Sequence, residues 1–261
     1  KQLANSPNAE RYRELLEDAS AMRAEFESAG VRIRGRYGTF PAHRDGDDVV
    51  LDKDGAEFRF PMLRQQEQRR NEGAAYTSLA DFVGGPGEED ILGAFVVTSG
   101  TELQPLIERF DTAHDDYSSI MAKALADRLA EAGTEWLHQQ MRLEWGTEAP
   151  DSLSLEDMLK GRYSGIRPAH GYPACPDHTE KATLWELLDG VKSGVTLSEH
   201  FAMIPAASVS GLVFPHPDAD YFAVGRIGRD QVEDYAKRKG CSVAVTERWL
   251  AQNLAYDTSE D

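Results

Sequence analysis

An α+β fold is what this sequence predicts: one compact domain with a central, mainly antiparallel sheet and flanking helices. Three observations carry that expectation. Amphipathic helical stripes and short alternating or wholly apolar runs share the chain, so neither kind of element dominates. Strand candidates come in neighbouring pairs joined by turn residues, as antiparallel pairing requires. No internal repeat, low-complexity tract or shift of composition along the 261 residues marks an interdomain linker.

Across residues 10–29, Tyr12, Leu15, Leu16, Ala19, Met22 and Phe26 fall on one helical stripe opposite a charged face, and Gly30 ends it. This helix is expected to lie on a surface. Val31 and Ile33 alternate with Arg32 and Arg34 as in a half-exposed strand. Residues 49–51 and 58–60 flank Asp54-Gly55, a hairpin turn. The charged, glutamine-rich run 64–70 reads as solvated helix or loop. Leu79-Ala80-Asp81-Phe82-Val83 reads as a short apolar strand interrupted by one carboxylate, with Asp81 pointing outward or accepting in a turn. Gly84-Gly85-Pro86-Gly87 breaks the chain, and residues 91–98 then read as a buried strand closed by Ser99-Gly100.

The longest helix is predicted over 114–145, with Tyr117, Met121, Ala124, Leu125, Leu129, Ala132 and Trp136 as its apolar side. Asp127, Glu131 and Glu135 follow at four-residue intervals and share a face, which for Glu135 reads as a solvated stripe. Glu131 sits between Ala130 and Ala132, small enough to admit a neighbouring element. Asp177-x-x-Glu180 has the form of a capping box opening a helix over 178–189. Residues 209–214 and 221–227 read as a strand pair joined by Pro215-His216-Pro217-Asp218. Helices over 229–239 and 242–253, divided by Gly240, finish the chain.

Composition excludes several classes of function. Apolar residues at 41% and charged residues at 28% describe a soluble globular protein. No apolar run approaches the length needed to span a bilayer, and no signal peptide opens the chain. The chain starts at Lys1, as expected of a piece of a longer protein. A net charge of −17 argues against a general nucleic-acid binder, which needs lysine and arginine in excess. Two distant cysteines, Cys175 and Cys241, form no disulfide framework, so a cytoplasmic protein is expected. Cys175-x-x-His178 has half the spacing of a metal site and no second half. Phosphate-binding, dinucleotide, nucleophile-elbow and His-Glu-x-x-His motifs are all absent.

The segment from Arg167 through Lys181, Arg-Pro-Ala-His-Gly-Tyr-Pro-Ala-Cys-Pro-Asp-His-Thr-Glu-Lys, stands apart. Its prolines and glycine exclude helix and ladder strand until Pro176 has passed, leaving a loop with stiff φ angles. Arg167 offers a planar fork for a carboxylate or phosphate. Gly171 leaves a bare backbone position, and Tyr172 puts an aromatic face beside it. A rigid surface connection has this composition. So does a binding loop for a small zwitterion with an aromatic group.

With the Ala182-Thr183-Leu184-Trp185-Glu186-Leu187-Leu188 that follows, this segment resembles the activation domain of cobalamin-dependent methionine synthase. Further matches come in order at Phe201-Ala202-Met203, Ala207-Ser208-Val209-Ser210-Gly211, 229–236, Arg248-Trp249-Leu250 and Asn253-Leu254. The resemblance is strongest over 162–257. It is thinner over 20–150, through Phe40-Pro41-Ala42, 79–83 and His114-Asp115-Asp116-Tyr117.

The resemblance implies a domain, over 1–261, that binds S-adenosylmethionine through an Arg-x-x-x-Gly-Tyr signature, here Arg167, Gly171 and Tyr172. It implies reductive methylation of cob(II)alamin to methylcobalamin, which reactivates the synthase; methyl transfer to homocysteine belongs to other domains. A strong nucleophile then meets a good sulfonium leaving group, so no general acid or base is required and no catalytic residue is expected. Arg167 is expected on the ligand carboxylate, with Asp81 and Glu131 offsetting its ammonium and sulfonium charges. Ala169 and Gly171 are expected at the adenine or ribose, Tyr172 near the methyl group, and Tyr221 and Phe222 on a strand at the site. No metal site is implied.

Implied partners are a cobalamin-binding domain, in the same or a separate chain, and flavodoxin or a flavin reductase as electron donor. Lys237-Arg238-Lys239 offers local complementarity to an acidic donor, or simply suits a helix C-terminus. Two positions depart from the family pattern. His170 replaces a common proline and puts a titratable group near the ligand. Ile204 replaces a tryptophan in a segment expected to face the corrin. A free-standing reactivator of a separate corrinoid protein and a binding-only regulatory domain remain as alternatives.

Overall fold

The computed structural model describes residues 8–66 and 75–258. Its elements are helix α1 (Ala9–Ser28), strands β1 (Arg34–Asp45), β2 (Asp48–Lys53), β3 (Ala56–Pro61) and β4 (Asp90–Thr98), helices α2 (Gln104–Thr112), α3 (Asp116–Glu144), α4 (Leu155–Leu159) and α5 (Lys181–Leu188), strands β5 (Thr196–Leu197), β6 (Met203–Ile204) and β7 (Ser208–Val213), and helices α6 (Arg229–Lys239) and α7 (Val243–Trp249). Five strands form one antiparallel sheet in the order β3-β2-β1-β4-β7, so the α+β expectation holds. The hairpin at Asp54-Gly55 is present, with Lys53 paired to Ala56.

The central strand β4 explains how the layers stack. Leu92, Ala94 and Val96 face a core shared with Leu184, Trp185, Leu187 and Leu188 of α5. Phe95 and Val97 face the other way, onto Leu137 and Met141 of α3. A strand covered on both faces is apolar without alternation, which is why its sequence reads as a buried run. At Gly93 an added Cβ would lie 2.2 Å from the Met141 side chain, so α3 rides directly on backbone there.

Helix α3 follows its predicted apolar side only in part, through Met121, Leu125 and Leu129. Ala122, Ala126, Ala130, Gly133 and Thr134 are buried, whereas Tyr117 and Trp136 are 56% and 60% exposed. Small residues let the helix approach the sheet closely, with Leu137 and Met141 buried beside them and Tyr117 and Trp136 left outside. Helix α1 is attached by Met22 and Phe26, while Tyr12, Leu15 and Leu16 in its first half stay exposed.

Three sequence expectations change. Residues 79–82 form a 3-10 turn instead of a strand, because Ser78 and Asp81 close a reciprocal capping box. Residues 221–227 are no strand. The edge of β7 that they would need is taken by residues 166–168, through Ile166 with Phe214 and the Leu212 N–H to the Pro168 carbonyl. The 221–227 segment instead runs over the loop, with the Val224 N–H donating to Pro173 and Ile227 bridging Leu254. The strand expected from Val31 begins only at Arg34. Of the 64–70 run, residues 67–70 lie outside the described residues, and Arg64 and Gln65 form a bridge and hydrogen bonds with 76–78 and Gln231.

Candidate functional site

The proline-rich loop is fixed from several sides. Its 166–168 arm extends the sheet edge, and Gly211 of β7 is needed there because a Cβ would lie 2.3 Å from the Pro168 carbonyl oxygen. Next come tight backbone hydrogen bonds, from Gly171 N to Cys175 O and from Cys175 N to Tyr172 O. The Cys175 thiol is buried, donates to the Ala169 carbonyl at 3.1 Å, and has its pKa pushed up to about 12 by burial, so it is a packing group.

Gly171 has a φ of +94°, and an added Cβ would fall 2.1 Å from the His178 ring. The bare backbone position is therefore filled by the loop's own histidine. Gly171→Ala is expected to cost on the order of 1–3 kcal/mol in backbone strain, with His178 displaced as well; urea unfolding of the variant measures this.

The far end of the loop is anchored by buried ions. Asp177 caps the helix start through the Thr179 N–H, but Glu180 does not reach back to complete a box. It pairs instead with Lys239, which also lies 3.0 Å from Asp177, and the Tyr235 hydroxyl donates to Asp177 at 2.9 Å. Arg238 is likewise taken up by Asp48 and Asp234. Two of the three cations in the 237–239 cluster thus hold the structure together from partly buried positions. They do not form a basic face for an acidic partner.

At the other end, Arg167 is 22% exposed and enters a polar cluster on α3. Its Nη2 donates to Glu135 Oε2 at 2.5 Å, and its Nη1 to the Tyr163 hydroxyl at 2.5 Å and to His138 Nδ1 at 3.0 Å. Burial works against the Arg167 charge, but Tyr163 and Glu135 outweigh it and raise the pKa. His138 is pushed down to about 2 by burial and the two nearby guanidiniums, so it is neutral. Because Arg167 only donates, the His138 proton must sit on Nε2. Glu135, expected on a solvated stripe, faces inward with one carboxylate oxygen on this cluster.

Two concavities flank Tyr172, which is 66% exposed and lines both. The first, about 430 Å3, collects Arg167, Ala169, Tyr172, Tyr221 and Phe222. Tyr221 is tied in by its hydroxyl, which accepts from the Arg167 backbone N–H at 2.9 Å. The second, about 270 Å3, brings Glu131 and Asp127 of α3 to Ala169, Tyr172, Met203 and Ser210. Glu131 is exposed and held by Arg128 at 2.7 Å. Ser210 is 1% exposed, yet its hydroxyl has no protein partner. Gly171 lies on a third hollow, with Tyr172 and Trp249.

So the chain folds Arg167, Glu131, Ala169, Tyr172, Tyr221 and Phe222 around two adjoining hollows. Asp81 lines neither. Its carboxylate is bound by Arg64 at 2.7 and 2.8 Å and approached by Arg44. Although burial works the other way, the Arg64 hydrogen bonds and the Ser78 N–H leave its pKa below the usual carboxylate range.

His170 is 2% exposed and stacked on Phe60, with ring centroids 5.9 Å apart. Burial takes its pKa down to about 3, so it carries no charge near neutrality, and the loop is not loosened around it. Ile204 is 55% exposed on β6 beside the second hollow's Met203. Sequence reading missed Glu135, His138, Tyr163 and Ser210. For all but Tyr163, which lies in the connection before the loop, the available signal was polar residues at buried positions of α3 and β7, visible once the small-residue stripe sets the helix phase.

Comparison with known proteins gives a concordant result. The family model described as vitamin B12 dependent methionine synthase, activation domain, matches residues 1–240. Among solved structures, the crystal structure of the MetH reactivation domain bound to AdoHcy is 48% identical in sequence, with a TM-score of 0.93, over 98% of this chain and 81% of that one. The chain belongs to the activation-domain family of vitamin B12 dependent methionine synthase.

Proposed function

We propose that the chain binds S-adenosylmethionine in the hollows flanking Tyr172 and presents its methyl group during reductive reactivation of methionine synthase. The observation that carries this reading is the state of Arg167. Both protons of Nη1 and one of Nη2 go to protein acceptors, while Nε and the second Nη2 proton have none among the described residues. Nε and Nη2 form one edge of the guanidinium, the edge that grips a carboxylate with two parallel hydrogen bonds.

The neighbouring groups fit the rest of such a ligand. Glu131 and Asp127 supply negative charge for an ammonium and a sulfonium. Ser210 offers a buried hydroxyl in need of a partner. Tyr172 offers a ring, with Ala169, Tyr221 and Phe222 completing the walls and Gly171 on the third hollow beside it. Asp81 belongs to this set on family resemblance alone, since Arg64 holds it here.

Cobalamin, carried by a neighbouring domain, supplies the nucleophile that accepts the methyl group. This chain's residues orient the donor and keep water from its reacting face. No member of the set has to move a proton. The electron comes from flavodoxin or a flavin reductase. A cytoplasmic setting agrees with two free cysteines, and no helix among the described residues is long and apolar enough to cross a membrane.

The test supplies the chain with cob(II)alamin, a reductant and methyl-labelled S-adenosylmethionine. Labelled methylcobalamin should form faster than without protein. A rate equal to the protein-free control rejects turnover and leaves a binding-only domain.

A further inference from the structure

The Arg167 guanidinium is aimed by a residue that lies outside the recognised signature. Tyr163 sits four residues earlier, and its hydroxyl accepts from Arg167 Nη1 at 2.5 Å while donating to Glu135 Oε2 at 3.2 Å. The Tyr163 pKa is raised, mainly by burial, so the hydroxyl keeps the proton that it donates. Its ring is held independently. The Arg142 guanidinium, 1% exposed and fixed by Glu148 at 2.7 Å, lies over the ring face 3.9 Å from the centroid. His138 meets the ring edge-on with centroids 5.2 Å apart. These groups come from two elements, α3 and the connection leading to the loop, so the hydroxyl is placed by packing on both sides.

We infer that Tyr163 is a positioning residue for ligand recognition: with His138 it takes up Nη1 of Arg167 while Glu135 takes one Nη2 proton, which leaves the Nε/Nη2 edge turned toward the ligand carboxylate. The arrangement follows from counting donors. An arginine has five N–H groups in a rigid fork, and a free side chain rotates among many orientations. Two protons committed to Tyr163 and His138, and one to Glu135, select an orientation before any ligand arrives. Glu135 alone would not do so, because a single ion pair lets the fork pivot about Nη2. Tyr163 turns that pair into a three-membered ring of hydrogen bonds, Arg167 to Tyr163 to Glu135 and back to Arg167. Preorganisation of this kind raises affinity by reducing the ordering required on binding.

This inference rests on the reading that Arg167 takes the ligand carboxylate, so the experiment separates the two. Tyr163→Phe removes the hydroxyl and keeps the ring over which Arg142 stacks. Calorimetric titration of wild type and variant is run with S-adenosylmethionine and with its decarboxylated analogue, which lacks the group that Arg167 would hold. Wild type should prefer S-adenosylmethionine. In Tyr163→Phe, affinity for S-adenosylmethionine should fall roughly tenfold, the loss of one hydrogen bond to a charged group, while affinity for the analogue stays unchanged. The analogue doubles as the control for folding.

An equal loss for both ligands makes Tyr163 merely structural, and no loss for either leaves it without a role in aiming Arg167; each overturns the inference. If wild type itself fails to discriminate, the carboxylate assignment of Arg167 falls first and the inference falls with it.

Discussion

Replacing Arg167 by alanine is expected to weaken S-adenosylmethionine binding by about 2–4 kcal/mol, roughly 30- to 700-fold, the usual loss when one partner of a desolvated charge pair is removed. Two effects add. The ligand carboxylate loses its bidentate partner, and Glu135 is left partly buried without its cation. The second effect lowers folded stability as well, so calorimetry should be accompanied by urea unfolding. Affinity should fall much further than the stability change explains. An unchanged dissociation constant would remove Arg167 from the site.

Acid should destabilise the domain well before its carboxylates are all protonated. His138 and His170 are neutral in the fold, with pKa values lowered to about 2 and about 3 by burial. In the unfolded chain each takes up a proton near pH 6.5. Their contribution is therefore complete above pH 6.5 and is lost as the pH falls toward 3. At about 1.4 kcal/mol per unit, each histidine withdraws about 3 kcal/mol by pH ~4.5. Glu180 acts in the opposite sense. Burial raises it to about 7, so it favours the fold increasingly as the pH falls from about 7 to 4.5 and then stops.

The net loss, about 2 kcal/mol at pH ~4.5, should hence steepen below that pH, where Glu180 no longer offsets the two histidines. His170→Phe keeps a ring against Phe60 and removes one of the two histidines. Urea unfolding at pH 7 and pH 4.5 should show a smaller difference in the variant than in wild type. An identical difference would mean that His170 is not held neutral by burial.

Much of the architecture is legible in the chain because burial writes directly into side-chain pattern. β4 is covered on both faces and reads as an unbroken apolar run. The hairpin at Asp54-Gly55 announces itself through positive φ angles that favour these residue types. Where two structures share one local pattern, sequence cannot separate them. Residues 221–227 are as apolar as a buried strand, but the decision lay with 166–168, which reached the edge of β7. α2 has its signal in Pro105 in the first turn followed by Leu106 and Phe110, yet the run is short. On α3, large apolar residues point to one stripe and the small ones define another, which turned Glu135 outward in the sequence reading and inward in the fold.

The loop itself was readable, because prolines and Arg167 imply a fixed shape and a fixed cation. What sequence could not show was how that cation is held. His138, Tyr163 and Glu135 converge on it from 4 to 32 positions away. Asp81 shows the reverse: a carboxylate matching the family position spends its charge on Arg64.

A crystal structure of the chain grown with excess S-adenosylmethionine tests the central claim most directly. The ligand carboxylate should lie within hydrogen-bonding distance of Arg167 Nε and Nη2, with Nη1 still on Tyr163 and the methyl group beside Tyr172. A ligand bound elsewhere, with the Nε/Nη2 edge still vacant, would contradict the account.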